Sequence, residues 1–391
     1  MRVNANKNVH QMKRDPYKTL MRVALILLAV VLLGAVAYYL CSLAITNDYA
    51  AKRDEIIRQN EENEIAFNTR MNELRSSQNA FFDVETGEVV TVELPYWENT
   101  IDGALWRIED DGKTAPENTH DIVADRNELM LGGLMLINAW HPLPSEFSDE
   151  ALVAVGSTSG YKIPVTDNSV KLFRPAYDAL FEALEIAAGQ GLENYLVQEG
   201  YRSNDAQTEL FNKRMAKLQD KYSGDILIEQ TKKEVNYPGT SEYQTGFSFS
   251  MRLYPNPDDL EFVESPQGKW MVDNSWRYGM VFRFPTKDFP DATWEDKSYK
   301  TAVSIELNLF RYVGKAHAAA MRVMNFCLEE YVEFLMEHPH ISIYEDGALK
   351  YEIYRIADTK EASFNLPVPN PSSSYQASFD NMGGIVLAYS Y

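Results

Sequence analysis

The stretch that most limits how this chain can fold is Phe247-Ser248-Phe249-Ser250-Met251-Arg252-Leu253, in which bulky apolar residues alternate with polar ones. A period of two cannot serve an amphipathic helix and demands a strand with one buried face. The strand is entered through Tyr237-Pro238-Gly239-Thr240-Ser241-Glu242-Tyr243-Gln244-Thr245-Gly246, whose Pro-Gly pair and second glycine mark tight turns. A later stretch, Ile305-Glu306-Leu307-Asn308-Leu309-Phe310-Arg311-Tyr312-Val313-Gly314, has the same turn-and-strand character.

Helical patterns surround these strands. Phe173, Tyr177, Leu180, Leu184 and Ala187 are spaced to form one apolar face, and Gly189 and Gly191 stop the helix. Tyr195-Leu196-Val197 reads as a strand, Ala206, Leu210, Met215 and Leu218 as a second helix, and Trp270 to Tyr278 as a third. Ala316 to Glu337 reads as a helix ended by His338-Pro339. The expectation is an α+β fold: a small antiparallel sheet with flanking helices over 129–340. Beyond His340, Ile341 to Tyr344 and Leu349 to Tyr354 flank a Glu345-Asp346-Gly347 turn and read as a hairpin, and Gly384 to Tyr389 reads as a strand. Residues 341–391 are thus expected to form a small β appendage.

The N-terminal part has a different character. Residues 1–22 are a basic tail, with six cations against Asp15, and the uncharged run Val23 to Ile45 follows. That run exceeds the roughly 20 residues needed to cross a bilayer and the roughly 7–15 of a signal-peptide core. A single transmembrane helix is expected, with its basic flank in the cytoplasm and the rest outside. The polar stretch 46–79 reads as a helical stalk. Phe67, Met71 and Leu74 make a seam that meets Glu64 and Asn60 when extended backward, enough for no more than weak homodimerisation. Residues 80–128 read as a linker that packs on the domain.

Composition narrows the function. The chain of 391 residues carries 37 Lys and Arg against 57 Asp and Glu, a formal charge of −20. Since the tail holds six of those cations and one of those acids, the acid excess lies wholly beyond the apolar run, and nucleic acid is excluded as a partner. Of two cysteines, Cys41 falls in the apolar run, so Cys327 has no partner for a disulfide in the outer part.

Five landmarks in order carry a resemblance. They are Leu136-Ile137-Asn138 with Pro142-Leu143-Pro144; Gly200-Tyr201-Arg202-Ser203 with Gln207; the Pro238-to-Ser250 turn and strand; Trp270, Asn274, Tyr278-Gly279 and Arg283-Phe284-Pro285; and Glu306 with Arg311-Tyr312-Val313-Gly314. Together they resemble the VanY-like D-alanyl-D-alanine carboxypeptidases. What the resemblance implies is a cleft in which His, Asp and His hold a catalytic zinc, a glutamate is the base and an arginine steadies the substrate. Carried onto this chain, Glu306 stands at the base position, and Arg202, with Ser203, Gln207 and Ser241, at substrate-binding positions. The three ligand positions hold Tyr243, Ser250 and Leu309. A phenol of pKa about 10, an alcohol and an alkyl group cannot do what two imidazoles and a carboxylate do, so no metal is expected.

Other residues offer no ready replacement. None of the six histidines stands at these positions, and His317, eight residues past Leu309, is expected on the next helix facing away. Asp258, Asp259 and Glu261, just beyond the strand, are hard-cation ligands rather than zinc ligands. Glu306 is expected to form an ion pair with Arg202 or Arg311. Three functions are compatible with this pattern. They are a zinc-free homologue that binds peptidoglycan stem peptides or an envelope protein; an active D,D-carboxypeptidase with a rearranged site; and a structural envelope-assembly protein.

Overall fold

The computed structural model describes residues 27–40, 80–82, 89–91, 96–110, 116–156, 163–287, 295–303, 306–370, 372 and 374–391, and single residues elsewhere before 60. The chain divides into two units, Met1–Leu74 and Arg75–Tyr391. In the first, residues 27–40 are helical and exposed. Among the described residues no helix is long and apolar enough to cross a membrane. Val23, Ala24, Ile26, Cys41, Ser42, Ala44 and Ile45 of the apolar run, and the stalk apart from Arg58, lie outside the described residues.

In the second unit, short strands β1 (Ala80–Phe82) and β2 (Val89–Thr91) pair with each other. They are followed by β3 (Tyr96–Ile101), β4 (Ala104–Glu109) and β5 (Thr119–Asp125). The domain proper begins with β6 (Leu152–Ala154) and β7 (Lys171–Phe173). Its four main strands are β8 (Tyr195–Glu199), β9 (Ser248–Leu253), β10 (Met280–Phe282) and β11 (Leu309–Tyr312). The C-terminal strands are β12 (His340–Glu345), β13 (Ala348–Ala357), β14 (Ser363–Pro369), β15 (Ser374–Phe379) and β16 (Gly384–Ser390).

The four main strands form an antiparallel sheet in the order β10-β11-β9-β8. Its two faces follow from the alternation in β9. Phe247, Phe249, Met251 and Leu253 enter the main core together with Phe310 of β11, and the Phe249 and Phe310 rings, opposite in register, stack with centroids 6.1 Å apart. The helix Arg174–Gly189 covers this side with Tyr177, Leu180, Leu184 and Ala187, as its spacing requires. Burying each such side chain is worth about 1.5–3 kcal/mol, which fixes the register, because a one-residue slip would exchange the faces. Ser248, Ser250, Leu309 and Arg311 are left on the other face, where Leu309 lies opposite Ser250 and Arg311 opposite Ser248. Gly246, at φ +71°, makes the corner into β9; a Cβ there would come within 2.6 Å of the Phe173 ring.

Several elements depart from the sequence pattern. The helix Asn204–Leu218 buries Gln207, Phe211 and Leu218, whereas Leu210 stays 38% exposed. Ala316 to Glu337 is two helices, Lys315–Met324 and Leu328–Glu337, because Asn325 turns left-handed at φ +55° and caps the first. The segment read as a linker contributes strands: β4 pairs with β12, and β3 and β4 complete a six-stranded sheet in the order β15-β16-β13-β12-β4-β3. β5 pairs with β14 along its whole length. The hairpin at 341–354 is part of this larger sheet, which unites residues 96–109 with the C-terminal strands around Ile108, Ile343, Ile353 and Leu387.

Candidate functional site

Two turns and two strands deliver the site. The Pro238–Gly246 turn ends in a short 3-10 helix, Glu242–Thr245. It is braced by Gln244, whose Oε1 accepts from Gly239 N (2.7 Å) and whose Nε2 donates to Asn204 (3.2 Å). From this turn the Tyr243 hydroxyl donates to Glu306 Oε1 at 2.8 Å. A bulge in the pairing of β8 with β9 sets Glu199 beside Ser250, so Ser250 lies between Glu199 on one side and Leu309 on the other. The Arg202 guanidinium covers the Tyr243 ring, 4.5 Å from its centroid. The structure therefore brings Arg202, Tyr243, Ser250, Glu306 and Leu309 together.

Among the described residues Glu306 forms no ion pair with Arg202 or with Arg311, the two partners expected from the sequence; Arg202 pairs with Glu199 and reaches Glu306 only through its charge. The bonded partner of Glu306 is the phenol, because Arg311 is committed elsewhere. Burial raises the Glu306 carboxyl above its ordinary 4.5; the Tyr243 hydrogen bond and Arg202 pull it down, and the Glu242 and Glu199 carboxylates push it further up. Burial also lifts the Tyr243 phenol well above its ordinary 10, with the Glu306 charge adding to the effect. The Ser250 hydroxyl is buried and near enough to that phenol to oppose the lift, yet no partner meets hydrogen-bond geometry with its Oγ. Leu309 is fully buried.

The remaining predicted residues act mainly as supports. Arg202 Nε donates to Glu199 at 2.7 Å and its NH1 to Gln207 Oε1 at 2.6 Å. Gln207 is fully buried and passes its own amide proton to the Asn236 carbonyl at 2.6 Å. The Ser203 hydroxyl is spent on capping the helix that follows, accepting from Ala206 N. These side chains hold Arg202 in place, and the guanidinium, with five N–H donors, keeps N–H groups for a ligand. Arg202, Gln207, Ser241, Tyr243 and Glu306 line a cleft of about 640 Å³, with Lys233 on its wall. A second hollow of about 190 Å³, reaching Asn138, Thr240 and Arg283, shares Lys232, Asn236, Ala302 and Val303 with it.

Beneath the site lies a buried charge network that the sequence reading missed. Glu242 receives Arg283 Nε on one carboxylate oxygen and Arg311 NH1 on the other, both at 2.8 Å, and Ser248 Oγ at 2.7 Å. Arg283 makes a bidentate pair with Glu329 at 2.9 and 2.7 Å. Arg311 also donates to the carbonyls of Gly133, Met135 and Tyr312. All four charged side chains are buried, two of each sign. Burial would raise the Glu242 carboxyl, but Arg283 and Arg311 outweigh it and hold the group below its ordinary value. Burial lowers the Arg311 guanidinium, only partly offset by Glu242, though a guanidinium remains a cation in any case. The signal in the sequence was Glu242 itself, an acid six residues before a strand of aromatic and small residues.

The family resemblance implies a zinc ion at this site. Zinc takes imidazole, thiolate or carboxylate ligands. Around Glu306 stand a phenol shifted away from ionising, an unpartnered alcohol and an alkyl side chain. Among the described residues no group of three or more His, Cys, Asp and Glu could hold a metal. Asp258, Asp259 and Glu261 are exposed beyond the end of β9, and His317 is buried on the helix after β11. The residues present do not make a zinc site.

Comparison with known proteins agrees with the fold. Residues 169–315 match the VanY family, described as D-alanyl-D-alanine carboxypeptidase. A D-alanyl-D-alanine carboxypeptidase of Enterococcus faecium is 27% identical over 276 residues, 69% of this chain and 79% of that one. The bifunctional D-Ala-D-Ala dipeptidase and D-Ala-D-Ala carboxypeptidase VanXYC of Enterococcus gallinarum is 30% identical over 208 residues, 52% of this chain and 95% of its own length. In fold, the chain resembles the crystal structure of the vancomycin-resistance D,D-dipeptidase VanXYg, with a TM-score of 0.54 and 23% identity over 70% of this chain and 99% of that one. The chain is a member of the VanY-like D-alanyl-D-alanine carboxypeptidase family.

Proposed function

We propose that this protein is a zinc-free member of its family that recognises, without hydrolysing, a peptide ending in a free carboxylate such as the peptidoglycan stem peptide. The observation that carries the reading is the 2.8 Å hydrogen bond from Tyr243 to Glu306. In a zinc peptidase the carboxylate base takes a proton from metal-bound water. Here the carboxylate is capped by a phenol, and the positions that resemble the ligand set are Tyr243, Ser250 and Leu309. Hydrolysis lacks its electrophile, while Arg202 keeps the planar fork suited to a carboxylate.

The proposal extends to location. The basic tail and the apolar run Val23 to Ile45 support one membrane-crossing helix with the family domain outside the cell, near cell-wall peptide.

The test is titration of the full-length protein, in detergent, with a peptide ending in D-Ala-D-Ala. Saturable binding without release of D-alanine is the expected result, and Arg202→Ala should weaken it about tenfold or more, in line with loss of a charge-assisted bond. Absence of binding contradicts the recognition role. Release of D-alanine that disappears in Glu306→Gln would instead establish an active enzyme.

Glu306 also gives a stability signature. The folded state holds its proton above pH 4.5, where the unfolded chain has lost it, so ionisation opposes folding and its penalty grows as pH rises. Glu306→Gln keeps an acceptor for Tyr243 and removes the charge. The variant should unfold at higher urea than the natural chain at pH 7, and the gain should shrink toward pH 4; an equal or lower midpoint at pH 7 would contradict the direction of the shift.

A further inference from the structure

A groove of about 390 Å³ lies away from the peptide cleft, where the helix Arg174–Gly189 and β11 meet the edge of the six-stranded sheet. Its volume is in the roughly 300–1,000 Å³ range of ligand sites. Three tyrosines line it: Tyr278, Tyr312 and Tyr375, the last 50% exposed. Among the described residues none of their hydroxyls has a hydrogen-bond partner. Beside them the cross-strand pair Ser374 and Ser390 adds two small polar residues.

The charges at this groove are already matched. Asp178 pairs with Arg174 at 2.7 Å and Glu182 with Lys315 at 3.1 Å, so neither an anion nor a cation finds an uncompensated partner. The occupant that fits is neutral, has apolar faces for aromatic rings, and carries many hydroxyls for unpartnered phenols and paired carboxylates. Tyrosine suits such a ligand because it joins a flat apolar body to a polar tip.

We propose that this groove is a carbohydrate-binding site for a neutral oligosaccharide, separate from the peptide cleft. The test is calorimetric titration of the full-length protein with chitotetraose and with cellotetraose, in a detergent that has no sugar headgroup. Saturable binding of either sugar is expected. Tyr278→Phe, which deletes only a hydroxyl, should weaken it several-fold, and Tyr375→Ala, at an exposed position, about tenfold, with thermal unfolding unchanged in both. A D-Ala-D-Ala-terminated peptide should not compete. Failure of both sugars to bind the folded protein, binding indifferent to both substitutions, or displacement by the peptide would each overturn the proposal. Because the peptide titration reads a different cleft, either site can fail without the other.

Discussion

Glu242→Gln is expected to remove about 3–5 kcal/mol of stability, the range for breaking a buried ion pair by deleting one partner. Glu242 satisfies Arg283 and Arg311 at once, each at 2.8 Å, with all three side chains buried. An amide of the same shape offers one acceptor where there were two charged ones. Two guanidinium groups would then share a single carboxylate, Glu329, which bonds only Arg283 of the two. Since a protein's whole stability is about 5–15 kcal/mol, the variant should lose roughly a fifth or more of it. Urea unfolding would read this as a lower midpoint at unchanged slope. The effect should exceed that of exposed pairs such as Lys232 with Glu229, which are worth about 0–1 kcal/mol. A loss below about 1 kcal/mol would mean that the network does not hold the turn that carries Tyr243. Adding Arg311→Met to Glu242→Gln should recover part of the loss, because it removes one of the stranded cations.

The second large effect depends on pH. His317 is fully buried on the helix Lys315–Met324, its Nδ1 is 2.8 Å from the Tyr331 hydroxyl, and its Nε2 has no partner. Burial pushes its pKa down from 6.5 to about 3. The folded protein therefore keeps a neutral imidazole where the unfolded chain takes up a proton. Its contribution is fully present above pH 6.5 and is lost as pH falls toward 3, at most by roughly 5 kcal/mol. His317→Gln cannot ionise and should flatten the stability profile between pH 6.5 and 4.5 relative to the natural chain, leaving the Glu306 contribution common to both. Parallel profiles for the variant and the natural chain across that window would show that His317 is not the group responsible.

How much of this could be read from sequence depended on whether the information was local. The alternation in β9 fixed both faces of the central sheet, because burial of Phe249 against Phe310 enforces a single register. Positive φ at Gly239 and Gly246 followed from the turn chemistry. Pairings between remote segments were not legible. Nothing in Ala104–Glu109 announces that Glu109 will lie opposite Ser342, so the strands before 110 passed for a linker. The partner of Arg311 was misread for the same reason: Glu306 is nearer in sequence, but the fold brings Glu242 to it. Asn325 ended a helix that periodicity alone would have carried through, because the left-handed residue interrupts the backbone and leaves the apolar pattern intact.

The site itself was legible as a set of positions. Their convergence, with Leu309 opposite Ser250 and Tyr243 bonded to Glu306, is a property of the fold. Chemistry then follows from the side chains present, a phenol, an alcohol and an alkyl group around a buried carboxylate.

The most direct test is the zinc content of the purified full-length protein, measured by elemental mass spectrometry after zinc exposure and dialysis. The account predicts zinc no higher than in the dialysis buffer. Stoichiometric zinc retained through dialysis and removed by a chelator would contradict it.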